Sequence, residues 1–280
     1  MYLSIIVPTL GRSTELVAAL QSLEPMITND VEVIIIDQNP EGFLQRVIPA
    51  DLQAKISIHH IDEKGASNAR NAGIALASGE FINFCDDDAV VEPELPKRIA
   101  AGFAKYPQAS MISFRVFDLK EDIVCMIPFP EADCRIDKRN YFVTSIEFSH
   151  VWRTEDIRRL GGYDPLLGVG APFGAEEARD LVVRALDANV AMVYIADTAF
   201  RHPTKRDANV KRYFSYAEGM AGFACKHWKK PYVVSRVAGF LFKSVVGVVV
   251  FNVWKRGESL RYWMRLAGFF SGIIKKIKGV

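Results

Sequence analysis

The chain has 280 residues, of which 50% are hydrophobic and 24% charged, a composition typical of a folded protein with one sizeable core and an appendage. Its four cysteines contain no C-x-x-C pair, which argues against a zinc ribbon or a disulfide scaffold and favours a reducing, cytoplasmic setting. The net charge of +2 hides an asymmetry that predicts different partners for the two parts, since residues 1–200 carry 18 Lys/Arg against 30 Asp/Glu and residues 201–280 carry 17 against 3.

The first 84 residues alternate between apolar strand patterns and helical patterns. The N-terminus leads directly into a strand pattern without a basic segment, so we expect no signal peptide. Strands are predicted at 3–7, 31–37, 56–61 and 80–84, and helices at 14–23 and 66–78. This β-α-β alternation predicts a mostly parallel, three-layer α/β domain that binds ligands at the carboxyl ends of its strands.

Polar residues follow several of these strands. Thr9, Asp37 and the acidic triplet 86–88 lie just beyond strand ends, so the fold should bring them to one crevice. Three adjacent carboxylates repel one another unless a cation lies among them, which favours a divalent metal site over an ordinary acidic turn. The helix before the triplet adds Asn68 and Arg70. Each residue taken alone also has a structural explanation, as a turn, a helix cap or a solvated charge.

The next part of the chain is predicted from the same patterns to contain helices at 93–105 and 154–160, strands at 111–117, 141–152 and 190–196, and a loop at 127–139. A glycine-rich segment, 167–174, precedes another helical pattern that begins near Ala178. This segment has neither the P-loop nor the dinucleotide-binding pattern, so we interpret it as a flexible loop over a pocket.

Two acidic residues and one histidine complete the candidate site. Glu176 and Glu177 fall at the start of a helix, where the helix dipole keeps a carboxylate ionised, as a general base requires. The alternative is a pair of ordinary helix-start acids. His202 follows the strand pattern at 190–196 and offers an imidazole nitrogen to a metal, with a partly buried loop histidine as the alternative.

These segments, in this order, resemble glycosyltransferase family 2, a group of inverting sugar transferases with a GT-A fold. The resemblance covers roughly residues 1–203. It rests on Ile5-Ile6-Val7-Pro8-Thr9, the strand ending at Asp37, Ala69-Arg70-Asn71-Ala72-Gly73-Ile74, Gly79-Glu80-Phe81-Ile82, Asp86-Asp87-Asp88, Gly161-Gly162-Tyr163-Asp164, Glu176-Glu177 with Asp180-Leu181 and Arg184, and His202. It implies a Rossmann-like, mostly parallel sheet flanked by helices, in a catalytic domain over residues 1–205 that binds a nucleotide sugar and an acceptor.

The resemblance also implies a donor and a cofactor. The donor would be a nucleoside-diphosphate sugar, with UDP favoured over dTDP or GDP. Its binding residues would be Pro8, Thr9, Asp37, Asn68, Arg70, Asp86 and Asp87. Asp88 would bind Mg²⁺ or Mn²⁺ at the diphosphate, with Asp86 and His202 in the same metal set. Asp87 is the member of the triplet expected to tolerate replacement best.

In such an enzyme Glu177 would deprotonate an acceptor hydroxyl, and the sugar would be transferred with inversion and without an enzyme nucleophile. Family members usually carry Glu-Asp at this position, whereas this chain has Glu-Glu. Alignment on Asp180-Leu181 favours Glu177 and keeps Glu176 as the competitor. Gln38 stands where many members have a second acid, which leaves the base and sugar of the donor open.

Two other classes of function compete with glycosyl transfer. A sugar nucleotidyltransferase also uses acidic metal ligands on an α/β sheet, but it usually begins with a glycine-rich phosphate loop that is missing after Val7. A non-catalytic sugar-binding module is the second alternative. Metal-dependent donor binding and turnover would exclude it.

Residues 206–280 are predicted to form a basic helical extension. The apolar run 237–253 is interrupted by Lys243 and is shorter than the roughly 20 clean residues of a transmembrane span. We therefore predict a buried, re-entrant or interfacial helix there.

The end of the extension has an amphipathic pattern. One face is apolar and consists of Trp263, Leu266, Phe270, Ile273 and Ile277, and the opposite side is basic and consists of Arg261, Arg265, Lys275 and Lys276. The pattern predicts that residues 211–280 bind an anionic membrane surface, with the apolar stripe in the lipid and the cations at the headgroups. A core-packing helix with a solvated basic face is the alternative, and nucleic acid is not expected as a partner.

The two halves together predict an enzyme at the inner face of the cell membrane. Its acidic part would use soluble nucleotide sugars, and its basic extension would hold it peripherally where a glycan or lipid-linked acceptor resides. Synthesis of a surface polysaccharide is the expectation that the family resemblance implies.

Overall fold

The computed structural model of the protein describes residues 2–204, 209–254 and 256–279. The chain divides into two compact units. Unit 1 comprises Met1–Tyr163 and Leu181–Thr204, and unit 2 comprises Asp164–Asp180 and Lys205–Val280. The glycine-rich segment and the two candidate bases, which the sequence analysis assigned to the domain 1–205, therefore group with the C-terminal helices and not with the sheet.

Unit 1 is an α/β structure built on one sheet. Its strands are β1 (Leu3–Thr9), β2 (Val31–Asp37), β3 (Ser57–His60), β4 (Phe81–Phe84), β5 (Val90–Val91), β6 (Met111–Asp118), β7 (Cys134–Arg135), β8 (His150–Arg153) and β9 (Met192–His202). Its helices are α1 (Thr14–Leu23), α2 (Phe43–Val47), α3 (Ala50–Gln53), α4 (Ala66–Leu76), α5 (Leu95–Lys105) and α6 (Thr154–Arg159), and α7 (Glu177–Asp187) crosses the division between the units.

The sheet is mostly parallel, as predicted. Within the described residues its strand order is β3-β2-β1-β4-β8-β6-β9-β5, with β7 beside β9. The first four strands run parallel to their neighbours in this order, as do β6 and β9, while β8 is antiparallel to both β4 and β6. Strands β1, β2 and β4 are almost entirely buried, which matches their near-continuous apolar sequences.

The register of the sheet places the predicted polar residues at one edge. Thr9 pairs with Asp37 at the ends of β1 and β2, and the triplet 86–88 follows the end of β4 beside them. Helix α4 lies close to β1 because Gly73 has no side chain, and a Cβ there would lie 2.3 Å from Ile6 Cγ2. This close approach seats Arg70, one turn earlier in α4, near the same edge.

Two strand predictions in the second half of unit 1 need correction. Only the end of the predicted strand 141–152 is extended, because Asp137 and Asn140 form a hydrogen-bonded turn: Asp137 N donates to Asn140 Oδ1 (2.8 Å) and Tyr141 N to Asp137 O (3.0 Å). In contrast, β9 extends beyond the predicted end at 196, since it pairs with β6 as far as Asp118 and His202. His202 therefore ends a strand and does not lie in a loop.

Unit 2 contains the glycine-rich segment and the helices α8 (Val210–Lys226), α9 (Pro231–Trp254) and α10 (Arg256–Ile277). Helices α8 and α10 pack closely because glycines line the contact. A Cβ at Gly268 would lie 2.2 Å from the Phe214 carbonyl oxygen, and one at Gly272 would lie 2.6 Å from Ala221 Cβ. The side of α10 that packs on α8 is therefore its small-residue side.

Helix α10 has a largely exposed apolar side and an opposite side that packs on α8. The apolar stripe is largely exposed, with Trp263 at 51%, Phe270 at 62% and Ile277 at 79% exposure. The guanidinium groups of Arg261 and Arg265 lie over the ring of Tyr213 in α8, at 5.8 and 5.3 Å. Arg261 and Arg265 thus have partners within unit 2, whereas Lys276 is exposed, and the membrane contact of this helix stays a prediction.

Helix α9 is longer and more apolar than the sequence run suggested. Its segment Pro231–Phe251 has a mean hydropathy of 1.9 and is long and apolar enough to cross a membrane, by length and composition alone. Only 28% of its most apolar stretch is buried, so the interpretation of a buried helix is wrong. Lys243 lies exposed near the middle of the helix, where a charge would be costly in the centre of a bilayer.

A buried histidine makes the stability of unit 1 dependent on pH. Burial, together with the charge of Arg70, lowers the pKa of His150 to about 3, and its Nε2 lies 2.8 Å from Ser145 Oγ. In the unfolded chain a histidine takes up a proton near its ordinary pKa of about 6.5. The unfolded state therefore binds more protons between these two values, so stability falls as the pH falls through that window.

We expect His150→Gln, which retains a hydrogen-bonding group for Ser145, to flatten this dependence. Urea unfolding at several pH values from about 7 to about 4 gives the free energy of unfolding at each pH, and its decrease on acidification is the quantity to compare. His59→Gln, at a half-buried site on β3, is the control and should retain the wild-type slope. A wild-type slope in His150→Gln would contradict the assignment.

Candidate active site

The first carboxylate of the triplet is paired with a buried arginine. Arg70 Nη2 lies 3.0 Å from Asp86 Oδ1 and 3.7 Å from Glu147 Oε1, and its guanidinium is 5.5 Å from the centre of the Tyr163 ring. Arg70 is only 3% exposed, which excludes the solvated surface charge considered from the sequence. Glu147 was not predicted as a site residue, because it belongs to a short 3-10 turn within the segment predicted as a strand.

The second carboxylate links the triplet to β1 and to the loop that follows it. Thr9 Oγ1 donates to Asp87 Oδ2 (2.8 Å), and Arg12 Nη1 lies 3.2 Å from Asp87 Oδ1 and also contacts Asp88. Burial raises the pKa of the Asp87 carboxyl to about 6, against the opposing effects of Arg12 and Thr9. Asp87 therefore has structural partners, which limits its expected tolerance to conservative replacements. Arg12 was missed because a single arginine in a loop has no sequence pattern.

The third carboxylate meets the histidine at the end of β9. His202 Nε2 lies 3.1 Å from Asp88 Oδ1, and the two side chains are almost completely buried. His202 Nδ1 is 3.0 Å from the Pro203 carbonyl oxygen, and the ring stacks on Phe148 at 5.0 Å. A proton on Nδ1 bonded to that carbonyl leaves Nε2 as the acceptor nitrogen, the usual arrangement of a metal-binding histidine.

Asp86, Asp88 and His202 together form a cluster that fits a divalent metal ion. Each offers one ligand atom, and these atoms lie within 4.8 Å of one another. Two carboxylate oxygens and one imidazole nitrogen suit Mg²⁺ or Mn²⁺, which prefer hard ligands and leave positions for phosphate oxygens. The cluster thus joins three residues that the sequence analysis proposed as metal ligands.

The other predicted donor residues lie beside β1 and at the start of α4. Asp37 is buried, and its Oδ1 accepts from both the backbone N and the Nδ2 of Asn39, at 2.8 Å each. Pro8 lies within β1 next to Thr9. Asn68 Nδ2 donates to the Lys64 carbonyl oxygen (2.9 Å), and Asn68 does not cap α4, because the N-cap is Gly65 and has no side-chain cap bond.

A cavity of about 530 Å³ adjoins β6 in unit 1. Its walls combine apolar side chains, such as those of Met126 and Phe129, with the charged side chains of Arg115 and Glu131. Cys125 also lines it, and Cys125 Sγ lies 3.8 Å from the His202 carbonyl oxygen. The segment for which the sequence indicated no role thus forms a cavity next to a residue of the metal cluster.

In unit 2 the glycine-rich segment is a turn that packs on α8, not an open flexible loop. Gly168 N donates to the Phe173 carbonyl oxygen (2.8 Å), and Phe173 N donates to that of Leu166 (3.0 Å). A Cβ at Gly219 would lie 2.5 Å from Ala175 N, so the backbone of the segment rests directly on the helix. This contact fixes the chain just before the two candidate bases.

The two adjacent glutamates have different environments. Glu176 has a left-handed backbone with φ of 76°, and both of its carboxylate oxygens lie 2.8 Å from Arg179 Nη1. Glu177 is the first residue of α7, one position earlier than the predicted start, and is 4% exposed. Glu176 is therefore committed to an ion pair within its own helix turn, while Glu177 occupies the first turn of the helix.

Comparison with known proteins agrees with this architecture. Residues 4–126 match the family model described as Glycosyl transferase family 2. The chain is 33% identical over 90 residues to a GalNAc(5)-diNAcBac-PP-undecaprenol beta-1,3-glucosyltransferase of Campylobacter jejuni, covering 31% of this chain and 29% of that protein. It is 26% identical over 113 residues to a PGL/p-HBAD biosynthesis glycosyltransferase of Mycobacterium tuberculosis, covering 39% and 44%. The matches thus span less than half of these relatives.

Solved structures show the same fold over nearly the whole chain. The S. aureus TarS 1-349 structure in complex with UDP-GlcNAc has a TM-score of 0.62 at 17% identity and covers 100% of this chain and 92% of that one. The mannosyltransferase PcManGT from Pyrobaculum calidifontis, in complex with GDP-Man and Mn²⁺, has a TM-score of 0.65 at 12% identity and covers 98% and 87%. At these identities the likeness is one of fold, and it confirms the predicted GT-A fold.

We expect Asp88→Ala to weaken divalent-metal binding by at least about tenfold, because it removes both a ligand atom and the partner of His202. Calorimetric titration with Mn²⁺ alone tests this without requiring turnover. Asp51→Ala, at an exposed site on α3, is the matched control and should bind Mn²⁺ as the wild type does. Unchanged Mn²⁺ affinity in Asp88→Ala would rule out this cluster as the metal site.

Proposed function

We propose that this chain, whose residues 4–126 match the family model of glycosyl transferase family 2, transfers a sugar from a nucleoside-diphosphate sugar to an acceptor hydroxyl with inversion. The observation that carries the proposal is the convergence of Asp86, Asp88 and His202 at the strand edge that also bears Thr9 and Asp37. UDP is the favoured nucleotide and dTDP or GDP the alternatives, since fold neighbours were solved with UDP-GlcNAc and with GDP-Man.

At the donor end, Asp86, Asp88 and His202 would hold Mg²⁺ or Mn²⁺. The ion, when bound, neutralises negative charge on the leaving diphosphate. Asp37 accepts a hydrogen bond from the nucleotide base through Oδ2, since its Oδ1 is already bonded to Asn39. Arg70 pairs with the triplet in the present structure and is the buried cation nearest to Asp86.

At the acceptor end, Glu177 is the general base. Glu176 is the alternative base, and both of its carboxylate oxygens lie 2.8 Å from Arg179 Nη1. Glu177 is the first residue of α7, and alignment on Asp180-Leu181 favours it as the base. Glu177 takes the proton of the acceptor hydroxyl, the hydroxyl oxygen bonds to the anomeric carbon, and the bond from that carbon to the diphosphate oxygen breaks with its electron pair. The configuration inverts in this single displacement.

A glycan or lipid-linked acceptor is the partner that the relatives suggest. The name of the Campylobacter jejuni relative specifies a substrate built on PP-undecaprenol. Such an acceptor lies at a membrane, and unit 2 exposes apolar side chains on both α9 and α10, with Val249 61% and Phe270 62% exposed. We therefore place the protein at the inner face of the cell membrane, bound peripherally through residues 211–280, in the synthesis of a surface polysaccharide.

The membrane contact that this structure favours is mainly hydrophobic. Arg261 and Arg265 pack on Tyr213, and Lys275 pairs with Glu218, so these cations are engaged within unit 2. The outward side of α10 is apolar. Anionic headgroups should thus contribute less to binding than the net charge of the extension suggests.

The function is tested by a donor screen with UDP-, GDP- and dTDP-sugars in the presence of Mn²⁺. We expect release of nucleoside diphosphate from one of them, whereas pyrophosphate release would indicate a nucleotidyltransferase. Glu177→Gln should lower this release by about 10²- to 10⁴-fold, the usual contribution of a general base, and keep the calorimetric donor affinity. Glu176→Gln should lower the rate of diphosphate release by a smaller factor. Wild-type turnover in Glu177→Gln would refute the assignment of Glu177 as the base.

Vesicle flotation tests the membrane contact. We expect the full-length protein to float with neutral phosphatidylcholine vesicles and to remain bound at high salt, because apolar burial is not screened by ions. Phe270→Asp should reduce the bound fraction, since it places a charge in the centre of the stripe. Binding that requires anionic lipid and is lost at high salt would contradict the hydrophobic mode.

A further inference from the structure

Lys275 connects helix α10 to the segment that carries the candidate base. Its Nζ lies 2.7 Å from Glu218 Oε1 of α8 and donates to the Pro172 carbonyl oxygen at 3.0 Å. Pro172 lies in the glycine-rich segment, five residues before Glu177. A single side chain thus joins α10, α8 and the chain leading to the proposed base.

The other contacts of this segment leave little room for independent movement. The backbone around Ala175 rests on Gly219, and a Cβ at Gly222 would lie 2.6 Å from the ring of Phe173. One turn after Glu177, the fully buried Asp180 is held by other groups of the same unit. A change in how α10 lies on α8 therefore acts on the segment directly through Lys275.

The anchor at Asp180 fixes the start of α7. His227 Nε2 and Lys226 Nζ, both at the end of α8, lie 2.8 Å from Asp180 Oδ1. Asp180 N in turn donates to the Glu176 carbonyl oxygen (2.9 Å), which closes the first turn of the helix. Helix α8 thus contacts the chain both before Glu177, at Ala175, and after it, at Asp180. Lys275 adds a contact from α10 at Pro172.

The same helix, α10, bears the exposed apolar stripe on its opposite side. Ile274, next to Lys275, is 52% exposed, and Ile277 is 79% exposed. Residues that are neighbours in a helix are rigidly related, so lipid contact at the outer side constrains the position of Lys275 at the inner side. The inner side of α10 contacts α8 and the segment, and Tyr262 of α10 also stacks on Phe251 of α9 at 5.4 Å.

We propose that Lys275 is a positioning residue that couples bilayer contact of α10 to the placement of Glu177, so that the enzyme turns over faster on a membrane. The proposal rests on the proposed function, both for Glu177 as the base and for the bilayer as the partner. Bilayer contact stabilises the arrangement in which Lys275 bridges Glu218 and Pro172. A ligand shifts such an equilibrium only by its differential affinity for the two arrangements, and the proposal assigns this difference to lipid contact of the apolar stripe.

The test measures diphosphate release from the best donor of the screen with and without vesicles of pure dioleoylphosphatidylcholine. No acceptor is added, so an increase cannot come from concentrating an acceptor on the vesicle. We expect vesicles to raise the wild-type kcat by about fivefold or more, the lower end of ordinary coupling, at unchanged donor KM. Lys275→Met should float with the vesicles as the wild type does and lose most of this increase.

Lys278→Met is the matched control, because Lys278 is exposed three residues further along the chain. It should keep both flotation and the increase in kcat. A Lys275→Met enzyme that responds to vesicles as the wild type does would overturn the proposal. So would a wild type whose kcat does not change when it floats.

A second pair of variants tests the positioning independently of vesicles. Gly219→Ala forces Ala175 away from α8 and should lower kcat in both conditions without changing the calorimetric donor affinity. Gly239→Ala, in α9, meets no atom within 4 Å and should keep the wild-type kcat. Wild-type kcat in Gly219→Ala would also count against the proposal.

The outcomes separate this proposal from the proposed function. If Glu177→Gln loses turnover while vesicles leave the wild type unchanged, only the coupling is refuted. If no donor releases diphosphate, the proposed function and the coupling both fail. If Glu177→Gln keeps turnover, the base is misassigned, and Lys275 does not position it.

Discussion

The mutual repulsion of the three carboxylates that follow β4 is the constraint on which the candidate site depends. Three other parts of unit 1 offset it: Arg70 from α4, Arg12 from the loop after β1 and Thr9 from β1 itself. None of these partners is a sequence neighbour of the triplet. The site can form only when the parallel strands have brought their carboxyl ends together, so its assembly requires the completed sheet.

The electrostatic arrangement explains why so much charge can be buried there. Arg70 is only 3% exposed, and burying an unpaired cation to this extent would cost much free energy. When one member of a buried ion pair is removed, the charge of the other is left uncompensated. Its pairing with Asp86, and with Glu147 at a greater distance, provides that compensation. A cation bound at the triplet would act in the same sense, because its charge would offset both the burial of Asp87, which is the main cause of its raised pKa, and the smaller repulsion from Asp86 and Asp88.

The sequence patterns predicted the parts of the fold that depend on local periodicity and on strand order. The ends of the apolar runs predicted that one edge of the sheet would carry Thr9, Asp37 and residues 86–88. The structure has these residues at that edge. Arg12 and Glu147 could not be predicted, since their roles come from contacts distant in sequence. For the same reason the start of the segment 141–152 was mistaken for a strand: its apolar content indicated burial but not the turn that Asn140 imposes.

The orientation of α10 could not be predicted from hydrophobic periodicity. A hydrophobic pattern identifies two faces of a helix but not which of them packs inward, and here the basic face does so because Gly268 and Gly272 lie on it. Glycines allow α8 to approach closely enough for Tyr213 and Glu218 to take up the cations. Much of the positive charge on that face is thereby satisfied within unit 2. The excess of basic residues in the extension therefore overstates its attraction for anionic lipid, and the free energy of a membrane contact has to come mainly from apolar surface, at about 25 cal/mol per Å² buried.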